Sequence, residues 1–141
     1  MEKISKLTYQ LNQVCKDLHR TYKLNCGGCC YAAYCIASLL EHYNIAFSLI
    51  VFDERYNLSN FDNLFDLPES MDHYAIIIEM AETIKCINCS DSDFYKQHQV
   101  FKISSNQILE YYENNCWNDT YDHGKNTIVK NTIEHLYYDS I

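Results

Sequence analysis

A chain of 141 residues, 48% of them apolar, is long enough for one domain with its own core. Its net charge of −8 at pH 7 gives it no electrostatic means of holding a phosphate backbone, which argues against nucleic acid as a partner. No window approaches the roughly eighteen consecutive apolar residues of a membrane span. Met1-Glu2-Lys3-Ile4 also lacks the apolar run of an export signal, so a cytoplasmic protein with its eight cysteines reduced is expected.

Residues 4–22 carry Ile4, Leu7, Leu11, Val14, Leu18 and Tyr22 at gaps of three and four, which predicts an amphipathic packing helix. Cys15 and His19 lie near its apolar face and are expected at the core or its rim. Lys23 to Gly28 leads into a second helix from about Cys29 to Tyr43. Its Ala32, Ala33, Ile36, Ala37, Leu39 and Leu40 form a broad apolar surface, and the small residues let a sheet pack closely. Asn44 is expected as a left-handed stop. Ile45 to Phe52 reads as a buried strand. Asp53 to Asp72 is polar, rich in asparagine and holds the single proline, Pro68, so a long surface loop is expected there, able to wall a cleft.

His73 to Met80 reads as a strand, Ala81-Glu82 as a tight turn, and Thr83 to Asn88 as the returning arm of a hairpin. Cys89 to Asp93 is a loop, and Val100 to Ile103 a short further strand. Ser104 with Gln107 makes a capping box for a helix through about Asn114. Asn115 to Lys125 is irregular, with Trp117 expected as a satellite core anchor and His123 in a turn. Asn126 to Tyr138 closes the chain as an amphipathic helix, with Ile128, Val129, Ile133 and Leu136 facing inward.

The chemistry concentrates at Asn25-Cys26-Gly27-Gly28-Cys29-Cys30. Two of the chain's three glycines stand directly before Cys29, where they permit a sharp entry into the helix. A thiol in a first helical turn meets unpaired N–H groups and the positive end of the helix dipole, both of which favour thiolate. A two-residue turn at Ala81-Glu82 pairs Ala75 with Asn88 and His73 with Ser90, so Asn88 becomes a diagonal neighbour of His73. Cys29 as nucleophile, His73 as base and Asn88 as orienting group then form a triad, with Asp91 and Asp93 as alternative orienters. Cys30 is the rival nucleophile. It points about 100° away from Cys29, so only one of the two can face the imidazole.

These segments resemble the papain-like and transglutaminase-like superfamily of thiol enzymes. Residues 25–31 resemble the papain-type nucleophile run, with Cys30 where that run has its aromatic residue and Tyr31 one place late. Asp72-His73-Tyr74-Ala75 resembles the strand bearing the family's histidine, and Asn88 or Asp91 falls where the third member stands. The similarity covers about residues 25–47 and 72–91. Lys23 stands where the papain-type oxyanion glutamine is found. The resemblance implies an α+β fold over residues 1–141, with a central nucleophile-bearing helix on a small antiparallel sheet and extra terminal helices. It also implies acyl transfer from an amide of a protein or peptide substrate through a Cys29 thioester, without a cofactor. The activity would be that of a peptidase, isopeptidase, deamidase or transglutaminase. The Cys29 N–H and the Asn25 side chain would serve the oxyanion, flanked by Gly28 and Cys30. The small size and lack of an export signal would suit a phage or mobile-element protein.

Two other readings stand beside this one. Cys26-x-x-Cys29 and Cys86-x-x-Cys89 could supply a four-thiolate zinc site. Against it, the separation of the pairs far exceeds the roughly 15–20 residues of a zinc ribbon, and Cys86 and Cys89 fall on opposite faces of an extended strand. A catalytically inactive binding protein on the same fold is the third, its acidic surface and 53–72 loop suiting a protein partner or a small cationic ligand.

Overall fold

The structure, a computed structural model, describes residues 2–25, 27–80, 83–116 and 122–140. Cys26, the expected turn at Ala81-Glu82 and Trp117 lie outside the described residues. Among the described residues four α-helices and four strands follow in the order α1 (Glu2–Tyr22), α2 (Cys29–His42), β1 (Ser48–Asp53), β2 (His73–Glu79), β3 (Ile84–Ile87), β4 (Gln97–Phe101), α3 (Ser105–Asn115) and α4 (Asn126–Ser140). The fold is mixed α+β, with an antiparallel sheet ordered β3-β2-β1-β4. No helix among the described residues is long and apolar enough to cross a membrane.

β1 takes the inner position because every one of its residues is buried, and both its edges are paired. Strand alternation then separates two apolar surfaces. Leu49, Val51, Tyr74, Ile76, Ile78, Ile87 and Phe101 join the helices in the main core. Ile50, Phe52, Ala75 and Ile77 form a smaller cluster on the opposite face. α2 is the central helix: Ala32, Ala33, Ile36, Ala37 and Leu40 are buried in the main core, together with Leu7, Leu11, Cys15 and Leu18 of α1.

Local signals set most of the boundaries. Asn44 adopts φ 57°, and the Ile45 N–H bonds back to the Leu40 carbonyl at 2.9 Å, closing α2 with a left-handed cap. Ser104 and Gln107 form the expected capping box of α3. β1 starts at Ser48 rather than Ile45. β4 starts three residues before the expected Val100 and ends at Phe101, because its register with β1 runs from Asp53↔Gln97 to Leu49↔Phe101. Gln97 and His98 sit on an exposed sheet edge, so their polar character hid the strand.

The 53–72 segment is more ordered than a plain loop. It carries 3₁₀ turns at Leu58–Asn60 and Leu64–Asp66, whose Leu58 and Leu64 enter the core. A charged clamp closes its base. Asp53 is 0% exposed. Its carboxylate accepts from the Arg55 backbone N–H (2.7 Å), the Arg55 guanidinium (2.7 and 3.2 Å) and the Asp72 N–H (3.0 Å). Arg55 also reaches the Ser70 carbonyl at 2.9 Å and pairs with Glu69, which accepts from the Tyr56 hydroxyl at 2.6 Å.

Candidate functional site

Three segments meet at one end of the sheet: the lead into α2, the start of β2 and the end of β3. Asn25 and Asn88 exchange side-chain amide bonds, Asn88 Nδ2 to Asn25 Oδ1 at 2.9 Å and Asn25 Nδ2 to Asn88 Oδ1 at 3.3 Å. The main-chain oxygen of Asn88 lies 2.5 Å from His73 Nε2. A carbonyl oxygen only accepts, so Nε2 carries the proton and Nδ1 is left as the basic nitrogen.

The hairpin register is the expected one, with Ile76 opposite Ile87 and Ile77 opposite Cys86. The ladder stops there because Asn88 turns into the left-handed region at φ 70°. That turn aims the Asn88 carbonyl, rather than its side-chain amide, at the imidazole. Asp91 opens an exposed 3₁₀ segment, Asp91–Tyr95. The carboxylate nearest the ring is Asp93, at 3.9 Å from Nε2, held by the Ser90 N–H at 2.9 Å. A capping box between Ser90 and Asp93 fixes this segment. The Ser-x-x-Asp spacing was its visible signal.

Cys29 begins α2 as expected. Gly27 has φ 118°, a conformation that a side chain would strain, and Gly28 caps the helix without any side-chain bond to its first N–H groups. No acidic residue sits in that first turn. Cys29 is only 3% exposed and belongs to the main core. Burial, Tyr111, Cys116 and Cys30, in that order, hold the Tyr74 phenol well above its ordinary range. The nearness of Cys30 to Tyr74 places the first turn of α2 at the end of the sheet where β2 begins.

The side chains of Cys29 and His73 nevertheless start from different sides. His73 is paired with Phe52 across the sheet and stacks on its ring at 6.0 Å between centroids, on the face that carries Ile50, Ala75 and Ile77. α2 packs against the other face. A proton shared between the two groups must pass around the open end of β2.

His73, Asn25, Asn88 and Asp93 line an open cleft of about 360 Å³, and Cys29 does not. Asn12, Lys16, His19 and Arg20 of α1 form its opposite wall. Sequence reasoning treated that helix as packing alone. Asn12 accepts from the Asn88 N–H at 2.8 Å and donates to the Cys86 carbonyl at 3.2 Å, while His19 Nδ1 accepts from the Asn25 N–H at 3.1 Å. Asn12, Lys16, His19 and Arg20 share one side of α1 away from its leucines, so His19 stands exposed on the cleft wall rather than at the core or its rim as expected.

Cys86 and Cys89 stand side by side at the end of the hairpin, with Cα atoms 5.9 Å apart, a separation that a disulfide spans. The two residues also pack on the same apolar cluster rather than on opposite faces, because the left-handed Asn88 reverses the chain between them. Cys26 lies outside the described residues. His123 sits in a 3₁₀ turn, His123–Lys125, with Nδ1 bonded to the Tyr112 hydroxyl, which agrees with its expected place in a turn.

No protein-family model matches the chain, and no curated protein or solved structure is significantly similar to it.

Proposed function

We propose that this chain is a cysteine-dependent acyl-transfer enzyme that opens an amide bond of a protein or peptide through a thioester at Cys29. One observation carries the reading: the bonded path Asn25–Asn88–His73, which ties the lead into α2 to both strands of the hairpin. In this scheme the Cys29 proton reaches His73 Nδ1 around the open end of β2, and the thiolate attacks the carbonyl carbon. The Cys29 N–H and the Asn25 amide stabilise the oxyanion. Nδ1–H then protonates the leaving amine as the C–N bond breaks. Water or a second amine attacks the thioester and gives its proton to Nδ1, and Cys29 leaves as the thiolate, which Nδ1–H then protonates. Asn88 supports this through its carbonyl, which fixes the tautomer.

The test is alkylation of the folded full-length chain with an iodoacetamide probe, read by peptide mass. The expected result is one fast-labelling thiol, lost in Cys29→Ala, retained in Cys30→Ala and slowed about tenfold or more in His73→Ala. Labelling that persists in Cys29→Ala, or that ignores His73, overturns the proposal.

A second reading is favoured by the 3% exposure of Cys29 and by the sheet lying between the imidazole and α2. In that reading the cleft binds a ligand and performs no chemistry. Uniformly slow labelling of every thiol in the folded chain is its signature.

A further inference from the structure

We propose that Cys86-Ile87-Asn88-Cys89 is a redox-active pair that exchanges two electrons with an external dithiol, with Cys89 as the sulfur that is attacked. The proposal stands independently of any role for Cys29. A C-x-x-C spacing is one that supports reversible dithiol/disulfide chemistry, and here the two Cα atoms are 5.9 Å apart, a separation that a disulfide spans. The pair is set asymmetrically. Cys89 lines the open cleft, whereas Cys86 does not. Lys16, Arg20 and Lys96 line the same cleft, where cations favour the Cys89 thiolate that is released in the second step of the exchange. The negatively charged Asp72 and Asp93 also line the cleft, each accepting from a backbone N–H, of Glu54 and Ser90, while Arg20 pairs with Asp17, so Lys16 and Lys96 are the cations that carry this effect.

The fold holds this loop without relying on the S–S bond. Asn12 of α1 grips the Cys86 carbonyl and the Asn88 N–H, while Asn25 grips the Asn88 side chain. The two thiols therefore remain neighbours after reduction, which allows the bond to re-form. Elsewhere in the chain, burial pushes the Cys15 and Cys35 thiols up to about 12, so neither competes as a thiolate at neutral pH.

The chemistry balances with a dithiol as reductant. One thiolate of the dithiol attacks Cys89 Sγ, forming a mixed disulfide as the Cys86–Cys89 bond breaks. Cys86 leaves as thiolate and takes a proton. The second thiolate of the dithiol then attacks its own bonded sulfur and releases Cys89. The dithiol is oxidised by two electrons, and the pair is reduced by two.

The experiment equilibrates the full chain with graded ratios of reduced to oxidised dithiothreitol, quenches with acid, and counts thiols with a maleimide of added mass. The expected result is two thiols appearing and disappearing together along one reversible curve, with the far-ultraviolet circular dichroism unchanged. Cys86→Ser treated with oxidised glutathione should form an adduct at Cys89, located by peptide mass, at a rate about tenfold or more above that of the Cys86 adduct in Cys89→Ser. A pair that resists reduction until the chain unfolds, a fold that is lost on reduction, or faster trapping at Cys86 overturns the proposal. The wild-type curve decides the question even if either serine variant fails to fold.

Discussion

His73 Nε2 and the main-chain oxygen of Asn88 are 2.5 Å apart, and the contact exists because Asn88 takes up φ 70° at the end of β3. A backbone conformation at one residue therefore sets the tautomer of another. Asparagine tolerates that region better than most residues do, and glycine tolerates it best.

Substitution at Asn88 should separate the backbone effect from the side-chain effect. Asn88→Gly keeps the left-handed turn and loses only the paired amide with Asn25, so a loss of about 1 kcal/mol is expected. Asn88→Val also forces a β-branched residue into the same turn and adds roughly 1–2 kcal/mol. Urea denaturation of the two variants reads the order directly. Equal losses would mean that the turn contributes nothing.

The clamp beneath the 53–72 segment predicts an acid response. Burial raises the Asp53 carboxyl, but its bonds from Arg55 and the Asp72 N–H outweigh that and hold it below the ordinary carboxylate range. The Tyr56 hydroxyl, followed by Arg55, holds Glu69 down in the same direction. Both carboxyls are more acidic folded than unfolded. Their stabilisation is thus complete above the unfolded value, near pH 4, and is lost as pH falls through the lower folded value. Arg55→Ala should lower stability at neutral pH by about 1.5–3 kcal/mol, the range for hydrogen bonds to a charged group. It should also flatten the fall in stability between about pH 4 and pH 2. Denaturation midpoints across that range check both effects.

Much of this arrangement was legible in the sequence because it rests on local signals. Helical periodicity gave α1 and α4, the Ser104–Gln107 box gave α3, and a two-residue turn gave the hairpin register that brings Asn88 beside His73. What stayed hidden depends on pairing across the chain. β4 is an edge strand whose polar residues carry no apolar alternation, so its start is set by β1 rather than by its own side chains. The side of the sheet on which α2 packs decides whether a thiol on that helix faces His73, and nothing in residues 25–43 encodes that choice. The Asp53–Arg55 clamp was also missed, since a buried carboxylate at a strand end looks like any other loop aspartate until its partners are placed.

Burial makes a prediction about the thiols that play no part in the proposed chemistry. Cys15 and Cys35 are both pushed up to about 12, chiefly by desolvation, and both are nearly covered. At about pH 8 their thiolate fraction should be on the order of one in ten thousand, and the folded chain should shield them further. Neither should react with Ellman's reagent in the folded protein, and both should react promptly in denaturant. Rapid modification of either thiol in folded protein would show that α1 or α2 opens locally.

The reciprocal amide pair between Asn25 and Asn88 gives the sharpest handle on whether the lead into α2 and the hairpin work as one unit. The residues are far apart in sequence, so any energetic coupling must pass through their two bonds, at 2.9 and 3.3 Å, or through the segments that those bonds hold together. Each single alanine substitution leaves the opposite amide half-buried and without its partner, while the double variant removes both groups. A double-mutant cycle should therefore show that the two losses do not add, with a coupling of about 0.5–1.5 kcal/mol in urea denaturation. The same cycle run on the alkylation rate of Cys29 distinguishes support from chemistry. If the pair only braces the fold, the coupling appears in stability and is absent from the rate. If it holds the helix start in register with His73, the rate falls in each single variant and the double variant falls no further.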